Sequence, residues 1–439
     1  MTNRSTAPRR TLRRPAALLL VAALAAPLLA GCGSTGAAAP VELRASAPAS
    51  RPAVDPAQVA ATAAATDAFG LDLLHVLTAQ PDAAGSNLVV SPSGLATLLA
   101  MLLPGARGTT AGELAKALHT GLDPRQYAYA TGALNRQVPA TGKLTLRRSD
   151  DLWTQQGLAV EPDYLATLAA AFDTGVHQAD FAKDPDGARR TVNAAVEKAT
   201  DGRIKDLFGR DAITSNTRLV LTDALYLKAE WASAFKPSLT ADRPFHKLDG
   251  STPAVPTMGQ TGEFRYADGS GGIVGEPWQA VELPYADGGL AMDLILPGQG
   301  GFTAFAKGLD QPQLDRILGA LAERPVDLRL PRFHFGTSKE LTPALRSLGV
   351  EAAFDRADLG GVAKDPLAVG TVVQKATIEV GEQGTVAAAG SGAGIDVAAA
   401  PNVERPVEMH LDRPFLFLIR DTRSGAPLFL GQVTDPQAP

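Results

Sequence analysis

Val372-Val373-Gln374-Lys375-Ala376-Thr377-Ile378-Glu379-Val380 reads as a strand, and it runs through Gly381 into Glu382-Gln383-Gly384-Thr385-Val386-Ala387-Ala388-Ala389. From Ala376 to Glu404 the chain holds no Lys, Arg, Phe, Tyr, Leu or Met. A small-residue loop joined to a strand can stay exposed, or it can slide into a sheet as an additional strand. Side chains alternate across a strand, so with Thr385 inward, Ala387, Ala389, Ser391, Ala393, Ile395 and Val397 are inward too. The early ones are small enough to avoid overpacking, which costs ~1–3 kcal/mol per oversized side chain. Ile395 and Val397 gain ~1.5–3 kcal/mol each on burial. No proline interrupts the run before Pro401, so every ladder N–H is available. Gly390, Gly392 and Gly394 oppose insertion, by roughly 0.5–1 kcal/mol each relative to Ala. On composition alone, a disordered Ala/Gly linker is the alternative.

Upstream, Ala64 to Leu77 has helical apolar spacing. Asn87-Leu88-Val89-Val90 reads as a buried strand, and Ser91-Pro92 as an N-cap followed by proline at the first helical position. The helix from Ser93 to Leu103 is apolar on every side and is expected to be buried. Thr110-Ala111-Gly112-Glu113 reads as a capping box opening another helix. Thr191 to Lys198 is helical, ended by Thr200-Asp201-Gly202. Strands follow at Thr217 to Leu227 and at Asp327 to Leu330, closed by Pro331; Ala280 to Tyr285 and Ala291 to Leu296 flank a hairpin turn. Leu341 to Leu348 is a short helix with Gly349 as C-cap. Pro414 to Arg420 and Pro427 to Val433 read as a buried hairpin. These elements predict an α+β domain over residues 57–436, with several helices around large, mostly antiparallel sheets.

Several segments resemble the serpin family in order along the whole domain. They are Ser91-Pro92 with Gly105 to Thr110; Asn193, Thr200, Gly202, Ile204 and Leu207; Leu221 to Phe235 with Tyr226, Lys228 and Trp231; Leu283-Pro284-Tyr285; Leu330-Pro331-Arg332-Phe333; Asp412 to Arg420; and Leu428 to Val433. Glu382 to Ala389 resembles the hinge of that family's reactive loop. The resemblance implies a serpin fold with an exposed C-terminal reactive loop and no catalysis of its own. It implies a hinge at Glu382, Gly384, Thr385, Val386, Ala387, Ala388 and Ala389, and a sheet-opening region at Ser91, Asp223, Trp231 and Gln374. The family usually has Asn at position 223 and His at position 374, and Gly94 stands where a second small polar residue is usual. Counting from Glu382 puts the reactive bond at Ala398-Ala399. A protease serine attacking Ala398 would form an acyl-enzyme. Insertion of Thr385 to Ala398 would then carry the protease about 45 Å.

Val397, Ala398 and Ala399 are small and apolar, which suits a serine protease with a shallow, elastase-like pocket or a subtilisin-like protease. A non-inhibitory serpin, acting as a surface binding module or a protease substrate, is the alternative. An enzyme is the other rival. The sequence has no CxxC, HExxH, GxSxG or P-loop, and its six histidines lack metal-ligand spacing, so no metal and no cofactor is expected.

The first 31 residues read separately. Arg9, Arg10, Arg13 and Arg14 precede an apolar run from Pro15 to Ala30, and Leu29-Ala30-Gly31-Cys32 resembles a bacterial lipobox. Residues 1–31 are expected to be a lipoprotein signal peptide, with Cys32, the only cysteine, carrying the lipid. An ordinary signal with a chance cysteine is the alternative. Residues 32–56 are rich in Ala, Pro and Ser and read as a flexible tether, the alternative being an arm packed on the domain. The expected location is extracytoplasmic, on a bacterial cell membrane through the Cys32 lipid. Removing residues 1–31 takes five arginines and no acids, leaving 36 basic against 46 acidic side chains, or −10. That charge argues against nucleic acid as a partner. A monomer is expected.

Overall fold

The Asp55 carboxylate accepts the Ala57 N–H at 2.8 Å and Pro56 takes the first helical position, and this cap starts α1 (Pro56–Thr78). The computed structural model describes residues 1, 40–46, 50–80, 85–138, 144–273, 275–286, 288–385 and 405–438. Its further helices are α2 (Pro92–Leu102), α3 (Gly108–Ala117), α4 (Pro124–Gln137), α5 (Pro162–Phe172), α6 (Pro185–Ala199), α7 (Phe302–Gly308), α8 (Gln311–Ala320), α9 (Thr342–Ser347) and α10 (Ala352–Asp355). The strands are β1 (Val41–Leu43), β2 (Leu88–Val90), β3 (Thr145–Gln155), β4 (Val176–Ala179), β5 (Leu219–Glu230), β6 (Ala241–Pro244), β7 (Ala254–Ile273) and β8 (Glu276–Pro284). They continue as β9 (Leu290–Pro297), β10 (Ala322–Pro331), β11 (Phe333–Glu340), β12 (Thr371–Gly381), β13 (Gly384–Thr385), β14 (Val407–His410), β15 (Phe415–Asp421) and β16 (Pro427–Val433).

The first sheet has the order β1-β4-β3-β5-β13-β12-β11, and the second runs β14-β10-β7-β8-β9-β15-β16-β2, with β6 on β7. Most pairings are antiparallel; β3–β4, β5–β12 and β10–β14 are parallel. The α+β class expected from the sequence, helices around large and mostly antiparallel sheets, is the fold observed. The hairpin of β8 and β9 and that of β15 and β16 form as read.

Every residue of α2 is buried, because the helix packs against β3 and β5 of the first sheet and β16 of the second. Phe333 and Phe335 of β11 meet Phe415 and Phe417 of β15, with ring centroids 5.9–6.4 Å apart, so aromatic packing joins the two sheets. Against β3, β5 and β12, α6 packs Val192 and Val196 into a cluster with Trp153, Val220, Ala224 and Val373.

Two expectations are corrected. The tether read over residues 32–56 contains β1, whose Val41, Glu42 and Leu43 pair with β4 at the sheet edge. An unpaired edge is a ready template for a strand, and Val41-Glu42-Leu43 supplies one. Glu42 Oε1 also accepts the Gly175 N–H at 3.0 Å, and Arg51 reaches Asp173 at 3.4 Å. Nor does Thr110-Ala111-Gly112-Glu113 open its helix, because α3 begins at Gly108. Glu113 instead accepts the N–H groups of Glu351 and Ala352, at 2.8 and 2.7 Å, at the start of α10. Thr110 Oγ1 accepts the Asp358 N–H at 3.0 Å.

Candidate functional site

Gly384 and Thr385 enter the first sheet as a two-residue strand. β13 runs antiparallel to both neighbours, with Thr385 opposite Val380 of β12 and Ala229 of β5. Gly384 has φ +150°, and a Cβ there would strike the Ala229 carbonyl, so the residue must be glycine. Thr385 is 1% exposed, and its hydroxyl lies 2.6 Å from the Tyr285 phenol. Burial, eased by that hydroxyl, pushes the phenol above its ordinary value.

Around this point the chain is fixed by several bonds. Trp231 stacks on Tyr285 at 4.6 Å, and its indole N–H donates to the Gly381 carbonyl at 2.9 Å. The backbone N–H groups of Trp231 and Phe235 donate to the Gln383 and Glu382 carbonyls. The Glu382 carboxylate accepts the Thr240 hydroxyl at 2.6 Å and Arg332 Nε at 2.8 Å, with a second guanidinium nitrogen also bonded. Burial acts to raise the Glu382 carboxyl, but the Arg332 and Thr240 donors outweigh it and hold it below the ordinary range.

Below β13 the two flanking strands meet directly. Val220–Leu225 of β5 pair in parallel with Thr371–Ala376 of β12. The sheet therefore has a seam. It is closed by a parallel ladder along one stretch and held apart by an antiparallel strand at the end. A longer antiparallel strand continuing from Thr385 would exchange that one parallel ladder for two antiparallel ones, the slightly more stable pairing.

At the closed part of the seam, Asp223 and Gln374 face one another in register. Gln374 Nε2 donates to Asp223 Oδ2 and, at 2.9 Å, to the Ser91 carbonyl, while Gln374 Oε1 accepts the Ser91 N–H at 3.0 Å. Ser91 Oγ accepts the Gly94 N–H at 3.1 Å. A Cβ on Gly94 would overlap the Asp223 carboxylate, so glycine here makes room for the acid.

Of the residues expected to open the sheet, Ser91, Asp223 and Gln374 are brought together and Trp231 is not. Trp231 belongs to the hinge end, about 25 Å further along at ~3.3 Å per residue. Glu382, Gly384 and Thr385 lie together where the chain leaves β12 and enters β13. Val386, Ala387, Ala388, Ala389, Ala398, Ala399 and Cys32 lie outside the described residues.

Sequence reasoning missed Thr240, Tyr285 and Arg332 as hinge partners, since each comes from a distant segment with no local signal. It also missed Asp150, directly opposite Asp223 on β3. In Arg147-Arg148-Ser149-Asp150-Asp151 an acid reads as part of a solvated strand face. Among the described residues no group of His, Cys, Asp and Glu is arranged to hold a metal ion, and no helix is long and apolar enough to cross a membrane.

This fold, with β13 wedged between β5 and β12 at the end of a seam in the main sheet, sets the class of protein to which the chain is compared. The family profile described as Serpin (serine protease inhibitor) matches residues 64–436. The chain belongs to the serpin family, whose members are generally protease inhibitors rather than enzymes. It is 35% identical to an uncharacterised serpin-like protein of Thermococcus kodakarensis, over 85% of each chain. It is 33% identical to the leukocyte elastase inhibitor of Bos taurus, over 85% of this chain and 99% of that one. Among solved structures, native protease nexin-1 with heparin superposes with a TM-score of 0.76 at 27% identity, covering 87% of this chain and all of that one. Serpin48 of the insect Tenebrio molitor gives 0.75 at 27% identity, covering 85% and 98%.

Proposed function

We propose that this chain inhibits a serine protease of small-residue preference, elastase-like or subtilisin-like, by a single-use trap. The protease cleaves Ala398-Ala399, the acyl-enzyme forms on Ala398, and the loop from Thr385 inserts between β5 and β12 before water can release it. The observation that carries this is Thr385 itself. It is already buried as a strand antiparallel to both β5 and β12, at the mouth of a seam whose remaining length is a parallel pairing. The residues beyond it in sequence are small, as a strand sliding beneath α6 requires.

The pocket preference rests on Val397, Ala398 and Ala399, none of which fills a trypsin-like or chymotrypsin-like pocket. The relative named leukocyte elastase inhibitor agrees with that choice by name. The basic and apolar start and Cys32 support secretion and a lipid anchor on the outer face of a bacterial membrane, with each inhibitor acting as a monomer.

The test mixes the purified chain with an elastase-type serine protease and resolves the products on a denaturing gel. A band that survives boiling with the mass of the protease plus the chain through Ala398, together with a released fragment that begins at Ala399, supports the trap. Complete cleavage without that band, by elastase-like and subtilisin-like enzymes alike, contradicts it and leaves a substrate-type serpin.

A further inference from the structure

Asp150 of β3 stands directly opposite Asp223 of β5, and both carboxylates are buried in the sheet on the side facing α2. Like charges directly opposite on paired strands repel, and burial makes the repulsion worse. Each acid also has an unsatisfied oxygen: Asp150 Oδ1 and Asp223 Oδ1 are buried without a donor. One proton held between the two carboxyl groups removes the repulsion. It also gives the pair the donor that both oxygens lack.

The surroundings count out to one such proton. Arg148, on the same face of β3, places Nε 3.4 Å from Asp150 Oδ2 and donates to Ser93 Oγ at 3.1 Å. α2 brings only Ser91, Ser93 and Gly94 to this place, and β12 brings Gln374. Lys339 of β11 stands opposite Gln374 in register. On the other face, Asp151 pairs with His177 of β4 at 3.3 Å, and Lys375 donates to the Lys205 carbonyl at 2.8 Å. With the Arg148 guanidinium beside Asp150, one proton balances the two carboxyl groups.

Burial, then the Asp223 charge, push the Asp150 carboxyl well above its ordinary range against the pull of Arg148. Burial also pushes Asp223 up to about 6, while donation from Asp150 and Gln374 keeps it from rising further. The pair therefore holds one proton between Asp150 and Asp223, and Asp223 also accepts the Gln374 amide from across the seam.

We propose that the Asp150–Asp223 acid pair is a proton-operated latch on the main sheet, with Asp150 as the positioning residue and the Asp223–Gln374 bond as the bolt. This rests on the insertion reading above. When β5 parts from β12, Gln374 stays with Ser91 and Asp223 loses that donor. With α2 still covering Asp223 as the strands part, so that its burial is unchanged, losing a donor raises the carboxylate's affinity for protons, so opening takes up a proton and acid favours it. The effect on global unfolding has the opposite sign. A folded value raised to about 6 stabilises the fold fully below an ordinary aspartate's ~3.9, and that stability is lost as pH rises through about 6. Acid thus eases the latch while it strengthens the fold against unfolding, a combination that general acid denaturation does not produce.

The full chain is incubated with a synthetic peptide of the sequence Thr385 to Ala398, from pH 5 to 8 at fixed ionic strength. Peptide uptake is followed by the rise in melting temperature. In the wild type the uptake rate is expected to climb several-fold, to at most about tenfold per pH unit, as pH falls through 6. Asp223→Asn is expected to flatten that profile, while leaving any contribution from His177 or from Asp396 of the peptide in place. Asp150→Ala, which removes the donor, is expected to move the midpoint to higher pH. A wild-type rate independent of pH, or an Asp223→Asn profile like the wild type's, overturns the latch alone. No rise in melting temperature at any pH overturns the insertion reading and the latch with it.

Discussion

The Thr385 hydroxyl and the Tyr285 phenol lie 2.6 Å apart, both buried, at the last described residue before the small-residue loop. The contact fixes which face of the incoming strand points into the core. Thr385→Arg would drive a charge into that position, and a buried charge without a partner costs several kcal/mol. The variant is expected to be cleaved at Ala398-Ala399 as fast as the wild type and to form at least about tenfold less covalent complex. Densitometry of complex against cleaved chain checks this; an unchanged ratio contradicts it.

The Glu382–Arg332 pair clamps the other side of the hinge. Its carboxyl is held below the ordinary range, so its stabilising effect is present above the ordinary value near 4.5 and disappears as pH falls through the lower folded value. Arg332→Ala is expected to cost about 1 kcal/mol at pH 6, near the low end for a charged bond because the Arg332 side chain is 47% exposed. The gap between the two urea midpoints should close as pH falls through the lowered Glu382 value. A gap that does not change with pH contradicts this role.

Much of the frame was legible because its signals are local. Ser91-Pro92 announces a capped helix start, and the helix after it has no polar face, which can only mean burial. The paired strands β8 with β9 and β15 with β16 are apolar runs joined by short turns. Asp223 and Gln374 depart from the resembled pattern together, and the bond between them accounts for both departures. Asp150 was not readable, since nothing in the sequence gives the register that sets it opposite Asp223. The distance of Trp231 from Ser91, Asp223 and Gln374 was not readable, because resemblance names residues without distances along a strand. β1 was hidden in a stretch whose composition suits a linker, where three residues suffice to cover an edge.

Gly94 is held to its size by the Asp223 carboxylate. Gly94→Ala forces the acid or α2 to move, and overpacking of this kind costs ~1–3 kcal/mol. The expected result is a melting temperature several degrees lower, with partial recovery in Gly94→Ala/Asp223→Ser, where the side chain in conflict is shorter. A double variant no more stable than Gly94→Ala alone argues against the contact.

β1 covers the outer edge of β4. Deleting residues 40–46 uncovers that edge, and exposed edges pair with other chains. The deletion is expected to associate as concentration rises, while the intact chain stays monomeric under the same conditions. Light scattering decides it, and a deletion variant that scatters like the intact chain contradicts the protective role.

The central claim is that cleavage drives the loop into the seam between β5 and β12. The most direct measurement compares the melting temperatures of the intact chain and of the chain nicked after Ala398. Insertion replaces the parallel ladder at Val220–Leu225 with two antiparallel ones, so the nicked form is expected to melt far above the intact form. Equal melting temperatures, with the nick verified by mass spectrometry, would mean that the loop stays outside the sheet and that this serpin does not trap by insertion.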